Sequence, residues 1–234
     1  MAKILVLNSG GLDSTTCLGI AINEVSKENV KTISFDFGQQ QIKELDCAKE
    51  IAKYYGVENK ILKIDLTQIG GSAQTDKNIE VPKSRGLHEM TIEIPVTWTP
   101  QRNTIFLTLA HAYAEVNKFN KIFIGANQID FSGYPDCRDS FFKSLQETLN
   151  RGSKIFNEEG KIIKIFAPLQ FMNKAAIIKE GIKLNIPYEL TWSCYDGKEK
   201  SCGQCDSCKL RLNGFKEAGV KDPLEYEVKN GYSK

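Results

Sequence analysis

The chain has 234 residues, 41% of them hydrophobic and 26% charged, with 31 basic against 29 acidic side chains and a net charge of +2. This composition excludes a disordered, collagenous or coiled-coil chain and supports one large packed domain, alone or with a small appendage. The balanced charge also argues against duplex nucleic acid as the primary ligand, because such binders carry a clear Lys/Arg surplus.

Only four consecutive apolar residues, Ile4–Leu7, precede Asn8, too few for a signal-peptide core, and no run approaches the ~20 residues of a membrane span. A cytoplasmic protein without membrane contact is expected. Lys3–Leu7 reads as a first strand, and Leu18, Ala21, Ile22 and Val25 mark an amphipathic helix over Thr15–Val25. Lys31–Phe37 reads as a second strand. Ile42, Leu45, Ala48, Ile51, Ala52 and Tyr55 trace a helix ended by Gly56, and Lys60–Leu66 reads as a third strand. Thr67–Met90 is polar, Gly-rich and aperiodic, which predicts a surface loop able to serve as a lid. Thr104–Val116 reads as a buried helix and Lys121–Gly125 as a strand. Phe141–Leu149 and Lys174–Leu184 read as helices around a strand at Ile162–Phe166, with Pro187 as a stop. Strands alternating with helices predict an α/β fold with a doubly wound, mostly parallel sheet. After Leu190 the composition shifts to Cys, Lys and Gly, which sets an expected boundary between a 1–190 body and a 191–234 unit.

Asn8, Ser9, Gly10, Gly11, Leu12, Asp13, Ser14 and Thr15 lie between the first strand and its helix. Unpaired backbone N–H groups and the helix dipole make such a place an anion site. Gly10 and Gly11 let the backbone approach phosphate, and Ser9, Ser14 and Thr15 add hydroxyls. The loop lacks the Lys of a Walker A motif and the third glycine of a dinucleotide fingerprint. Asp13 suits a helix cap and also a Mg²⁺ ligand at bound phosphates.

Cys194, Cys202, Cys205 and Cys208 have the spacing C-x7-C-x2-C-x2-C. Four thiolates suit a closed, structural tetrahedral Zn²⁺ site; a [4Fe–4S] cluster is the competing reading, and zinc is favoured. Cys17 and Cys47 fall on apolar helix faces and read as packing residues. Asn127, Asp130, Tyr134, Asp136 and Arg138 follow a parallel strand at Gly125, where open α/β sheets bind ligands. They offer groups suited to a planar heterocycle bearing an acid. His88 and His111 read as structural or surface residues.

The glycine loop SGGLDS resembles the PP-loop of ATP pyrophosphatases. With RNTIFLTLA from Arg102, GANQIDFSGYPDCR from Gly125 and SCYDGKEKSCGQCDSCKLR from Ser193, nearly the whole chain resembles the 7-cyano-7-deazaguanine synthase family of the queuosine pathway. Two positions depart from its pattern: Gln101 stands where Gly is usual before Arg-Asn, and Gln41 where a basic residue or His is common. The resemblance implies an adenine nucleotide α-hydrolase-like fold and a homodimer. It also implies an ATP-dependent ligase that converts 7-carboxy-7-deazaguanine and ammonia to the nitrile through an acyl adenylate and an amide. Asp13, Ser14 and Arg102 would then assist catalysis. Residues 8–15, Asn127 and Asp130 would hold ATP with Mg²⁺, and Tyr134, Asp136 and Arg138 would hold the substrate. With no Cys next to Met1 and no room for a glutaminase domain, free ammonia is the expected nitrogen source. A tRNA-thiolating enzyme of the same fold, with Cys137 as its thiol, and a nucleic-acid-binding zinc knuckle are the alternatives.

Overall fold

A computed structural model describes residues 2–86, 90, 94–129, 134–196 and 199–227. Five strands, β1 (Ile4–Leu7), β2 (Val30–Asp36), β3 (Asn59–Lys63), β4 (Lys121–Ile124) and β5 (Lys164–Phe166), form one parallel sheet in the order β3-β2-β1-β4-β5. The helices are α1 (Leu12–Val25), α2 (Lys43–Tyr55), α3 (Arg102–Val116), α4 (Asp139–Arg151), α5 (Lys154–Glu159), α6 (Lys174–Lys183) and α7 (Asp206–Ala218).

The central strand β1 is buried on both faces, which is why it reads as an unbroken apolar run. Ile4 and Val6 pack with Leu18 of α1, Ile51 of α2, Ile177 and Ile178 of α6 and Phe215 of α7. Leu5 and Leu7 turn the other way, toward Leu107 and Ala110 of α3 and Phe142 of α4. The expected doubly wound architecture is therefore present. The chain winds outward from β1 to β3, then crosses to place β4 on the opposite side of β1. That reversal opens a crevice beyond the carboxyl ends of β1 and β4, the place where open parallel sheets take ligands.

Several elements differ from the sequence-based expectation. Strand β3 stops at Lys63 rather than Leu66, and Asp65 Oδ1 accepts from Thr67 N at 3.0 Å to turn the chain just beyond it. Helices α5 and α7 were not expected; α7 begins inside the cysteine-rich segment, with Cys205 as its cap residue. The segment expected as a surface loop is buried at Ser72–Thr75. It is pinned by Gln40 N donating to Gln74 O at 2.9 Å, Ala73 N to Val96 O at 2.8 Å and Ser84 N to Gln204 O at 3.0 Å. His111 is buried in α3, and burial lowers its pKa; His88 lies outside the described residues. Among the described residues no helix is long and apolar enough to cross a membrane.

Gln101 caps α3 in the left-handed region, with φ 58° and ψ 16°. A side chain with a Cβ costs about 1–2 kcal/mol there, which gives a physical reason for Gly at the same place in the family it resembles.

Arg211 of α7 and Asp222 form a buried bidentate pair, with Nε to Oδ2 at 2.7 Å and Nη2 to Oδ1 at 2.9 Å. Thr191 Oγ1, Ser193 Oγ and Tyr188 O accept the remaining guanidinium hydrogens, and Tyr226 donates to Asp222 Oδ2. Removing one member leaves the other charge buried and uncompensated. Asp222→Asn should therefore lower unfolding stability by about 3–5 kcal/mol in urea titrations, and the apolar pair Arg211→Met with Asp222→Leu should recover much of that loss.

Candidate active site

The loop after β1 is shaped by its own short side chains. Asn8 Oδ1 accepts from Gly10 N at 3.1 Å while Asn8 Nδ2 donates to Ala48 O at 3.0 Å, which fastens the loop to α2. Gly10, at φ +80°, has no room for a side chain: a Cβ there would lie 2.2 Å from Glu44 O and 2.7 Å from Ala48 N. On its other side, Trp192 N donates to Gly10 O at 2.9 Å. The hydroxyls of Ser9 and Ser14 meet at 3.0 Å, and Ser9 N donates to Ser14 Oγ at 3.2 Å.

Helix α1 begins at Leu12 with Gly11 as its cap residue, so Asp13 is not the cap that the loop sequence suggested. Its carboxylate is held by Lys174 Nζ at 2.8 and 2.7 Å, an ion pair largely withdrawn from solvent. Lys174 is the first residue of α6, and its stem lies against Gly214 of α7, where a Cβ would sit 2.3 Å from Lys174 Cγ. The sequence reading missed this lysine. A signal was present, because a cation in the first turn opposes the helix dipole and marks a residue held there for another reason.

A cavity of about 230 Å³ opens over this loop. Ser9, Gly11, Leu12, Asp13, Ser14 and Lys174 line it together with Arg102, Asn127, Tyr134 and Cys137. Leu7, Ile33, Phe35, Phe37, Phe106 and Ile124 supply an apolar wall, in which Phe35 and Phe106 stack at 4.2 Å. Such a wall suits the face of a heterocycle. Arg102 reaches in from the first turn of α3, and its Nη1 donates to Gln74 Oε1 at 3.0 Å, so the buried part of the long β3–α3 connection orients it.

The expected ligand groups divide between those the fold brings to this cavity and those it places elsewhere. Asn8, Ser9, Gly11, Leu12, Asp13, Ser14, Arg102, Asn127 and Tyr134 line it. Gly10 is packed beneath the loop, and the Thr15 hydroxyl donates to Gly11 O at 2.8 Å. Asp136 is buried behind the wall. Its carboxylate accepts from Trp98 Nε1 at 3.1 Å and from Asn103 N at 3.3 Å, which completes the exposed amide end of α3. Arg138 is exposed at the start of α4, and Asp130 lies outside the described residues. Burial, with Asp136 adding to it, pushes the Cys137 thiol up to about 12. At neutral pH it is a protonated thiol and not a poised thiolate.

The four cysteines converge. Their sulfurs all lie within 4.8 Å of one another, each residue is buried, and Cys202 Sγ and Cys208 Sγ are 3.9 Å apart. Zn–S bonds of about 2.3 Å would give tetrahedral edges of about 3.8 Å, so the cluster fits a metal ion of that kind. Backbone amides of Asp196 and Cys202 donate to Cys194 Sγ at 3.3 Å, and those of Gln204 and Cys205 to Cys202 Sγ at 3.4 and 3.3 Å. Hydrogen bonding to neighbouring sulfurs and burial push the Cys205 and Cys208 thiols up. Four thiolates this close can coexist only around a cation. The cluster can hold a metal, and its sulfurs leave no ligand position for chemistry.

A family model for queuosine biosynthesis protein QueC matches residues 3–219. The chain belongs to this family. It is 55% identical over 224 residues to the 7-cyano-7-deazaguanine synthase of Thermoplasma volcanium, covering 96% of this chain and 90% of that one. The synthase of Picrophilus torridus is 52% identical over 227 residues, 97% of this chain and 92% of its own. That of Acetivibrio thermocellus is 51% identical over 227 residues, 97% and 98% respectively. Family membership thus spans the glycine loop, the cavity wall and the cysteine cluster alike.

The pairing of Asp13 with Lys174 sets an expectation for both. Asp13→Ala and Lys174→Ala should each lower turnover about 10²–10³-fold, the range for removing one preorganised charge, with circular dichroism showing the fold retained. Turnover within threefold of the unaltered protein would remove the pair from the chemistry.

Proposed function

We propose that the chain is a 7-cyano-7-deazaguanine synthase: an ATP-dependent ligase that joins 7-carboxy-7-deazaguanine to free ammonia and dehydrates the amide to the nitrile. The observation that carries the reading is near-full-length kinship to synthases of this name, joined to a phosphate-shaped loop at the sheet's reversal point. A carboxylate is a poor electrophile, so its oxygen must first become a leaving group. The substrate carboxylate attacks the α-phosphorus of ATP, giving an acyl adenylate and pyrophosphate; ammonia displaces AMP. The amide oxygen is then activated in the same way, and loss of AMP leaves the C≡N bond.

The glycine loop, with the hydroxyls of Ser9 and Ser14, cradles the phosphates, and Asn127 and Asp130 complete the nucleotide site. Lys174 and Arg102 offset the charge that grows on the phosphates and the displaced oxygens. Mg²⁺, when bound with ATP, neutralises phosphate charge, and Asp13 and Ser14 are the residues that would hold it. Tyr134, on the cavity wall, faces the substrate, whereas Arg138 lies outside the cavity. Asp136 serves the site from behind by fixing Trp98 and Asn103. Cys194, Cys202, Cys205 and Cys208 hold one structural Zn²⁺, with 191–234 as a metal-stapled unit beside the 1–190 nucleotide-binding body. The reading includes a cytoplasmic homodimer acting on a free base, with no nucleic acid bound.

Purified protein incubated with 7-carboxy-7-deazaguanine, ATP, Mg²⁺ and ammonium should yield the nitrile by mass spectrometry. Intact ATP and no nitrile would reject the assignment. For the metal, Cys205→Ser should lose bound zinc by elemental analysis and lower the thermal midpoint together. Activity lost with zinc and midpoint unchanged would instead place the cysteines in the chemistry.

A further inference from the structure

The cavity is lined by loop residues Ser9, Gly11 and Ser14 and by the cationic side chains of Lys174 and Arg102, which suits anions, yet two acidic residues line it as well. Asp13 is committed to Lys174. The other is Glu44, half-buried in the first turn of α2. Among the described residues no cation lies within ion-pair distance of its carboxylate. Its position is fixed from below, because the Glu44 carbonyl rests on Gly10 so closely that no Cβ fits between them. The loop that would present the activated phosphate and the turn that carries Glu44 are therefore one packed unit.

We propose that Glu44 is a catalytic residue that binds the ammonium ion and accepts its proton. The inference rests on the ligase reading above. Of the organic and nitrogen reactants in that reading, ATP and the carboxylate are anions and ammonium alone is a cation, so a carboxylate in an anion-binding cavity complements that one reactant. Proton balance follows. Ammonium gives one proton to the Glu44 carboxylate, and the freed nitrogen lone pair attacks the acyl carbon of the adenylate. The C–N bond forms, the C–O bond to AMP breaks, and a second N–H proton leaves to solvent to give the neutral amide. Burial pushes the Glu44 carboxyl up to about 7, with Arg102 opposing that rise. A group poised near neutrality is suited to accept a proton from the nucleophile.

The test separates adenylation from amination. Exchange of labelled pyrophosphate into ATP, dependent on 7-carboxy-7-deazaguanine and run without ammonium, reads the first half. Amide plus nitrile formation against ammonium chloride concentration reads the second. For Glu44→Gln, exchange should fall no more than about threefold, while kcat/KM for ammonium should fall about 10²-fold or more. Glu44→Asp should recover part of that loss. Hydroxylamine, mostly uncharged at neutral pH, should be consumed by Glu44→Gln within about tenfold of the unaltered enzyme, since it needs no base to free its lone pair. An unchanged kcat/KM for ammonium would overturn the proposal. Parallel loss of exchange and amination would also overturn it, by placing Glu44 at the nucleotide or its Mg²⁺. If the unaltered enzyme showed no carboxylate-dependent exchange, the ligase reading itself would fail and this proposal with it.

Discussion

The ion pair between Asp13 and Lys174 is the contact on which the site's arrangement depends. It joins the first turn of α1, which continues directly from the glycine loop, to the first turn of α6. Helix α6 in turn packs along α7, whose Gly214 leaves space for the Lys174 stem. One charged contact thus connects the glycine loop to the helix that emerges from the cysteine cluster. With both side chains largely withdrawn from water, losing one partner strands the other in a costly environment. The pair also leaves the loop region less negative than the loop sequence suggests, because the acidic residue arrives already compensated.

The parts of the fold that could be read from sequence are those where burial and periodicity agree. Ile4–Leu7 is apolar without a break because the strand is covered on both sides, and α2 shows its apolar stripe because only one side is covered. Helix α7 escaped notice for a physical reason: one of its buried positions is Arg211 and another is Gly214. Its inward face is satisfied by an ion pair and a close approach, neither of which registers as hydrophobic spacing. The stretch at Ser72–Thr75 was misjudged in the same way. Its polar side chains are buried, and Gln74 Nε2 donating to Thr97 O and Thr99 Oγ1 donating to Ser72 Oγ satisfy those of Gln74 and Ser72 internally.

For the site, motif chemistry located the loop, Arg102 and the four cysteines, because in each the residue type and the spacing point to one kind of ligand. Lys174 and Glu44 sit at helix starts whose residues come near the loop only in three dimensions. Asp136 shows the reverse case. Its side-chain chemistry suits a purine edge, yet the fold employs both carboxylate oxygens on Trp98 and Asn103, and only the packed structure distinguishes a group that faces a ligand from one that holds the wall.

The hydrogen bond from Trp192 to Gly10 has a consequence for the order in which the molecule is made. It connects residues 182 positions apart in the sequence, and Trp192 and Ser193 form part of the cavity wall. During synthesis from the amino terminus, the glycine loop emerges first but waits for its covering wall until Trp192 and Ser193 have left the ribosome. Contacts of such long sequence separation form late and slowly. The nascent chain therefore carries an open glycine loop until Trp192 has emerged, and the site closes only after that.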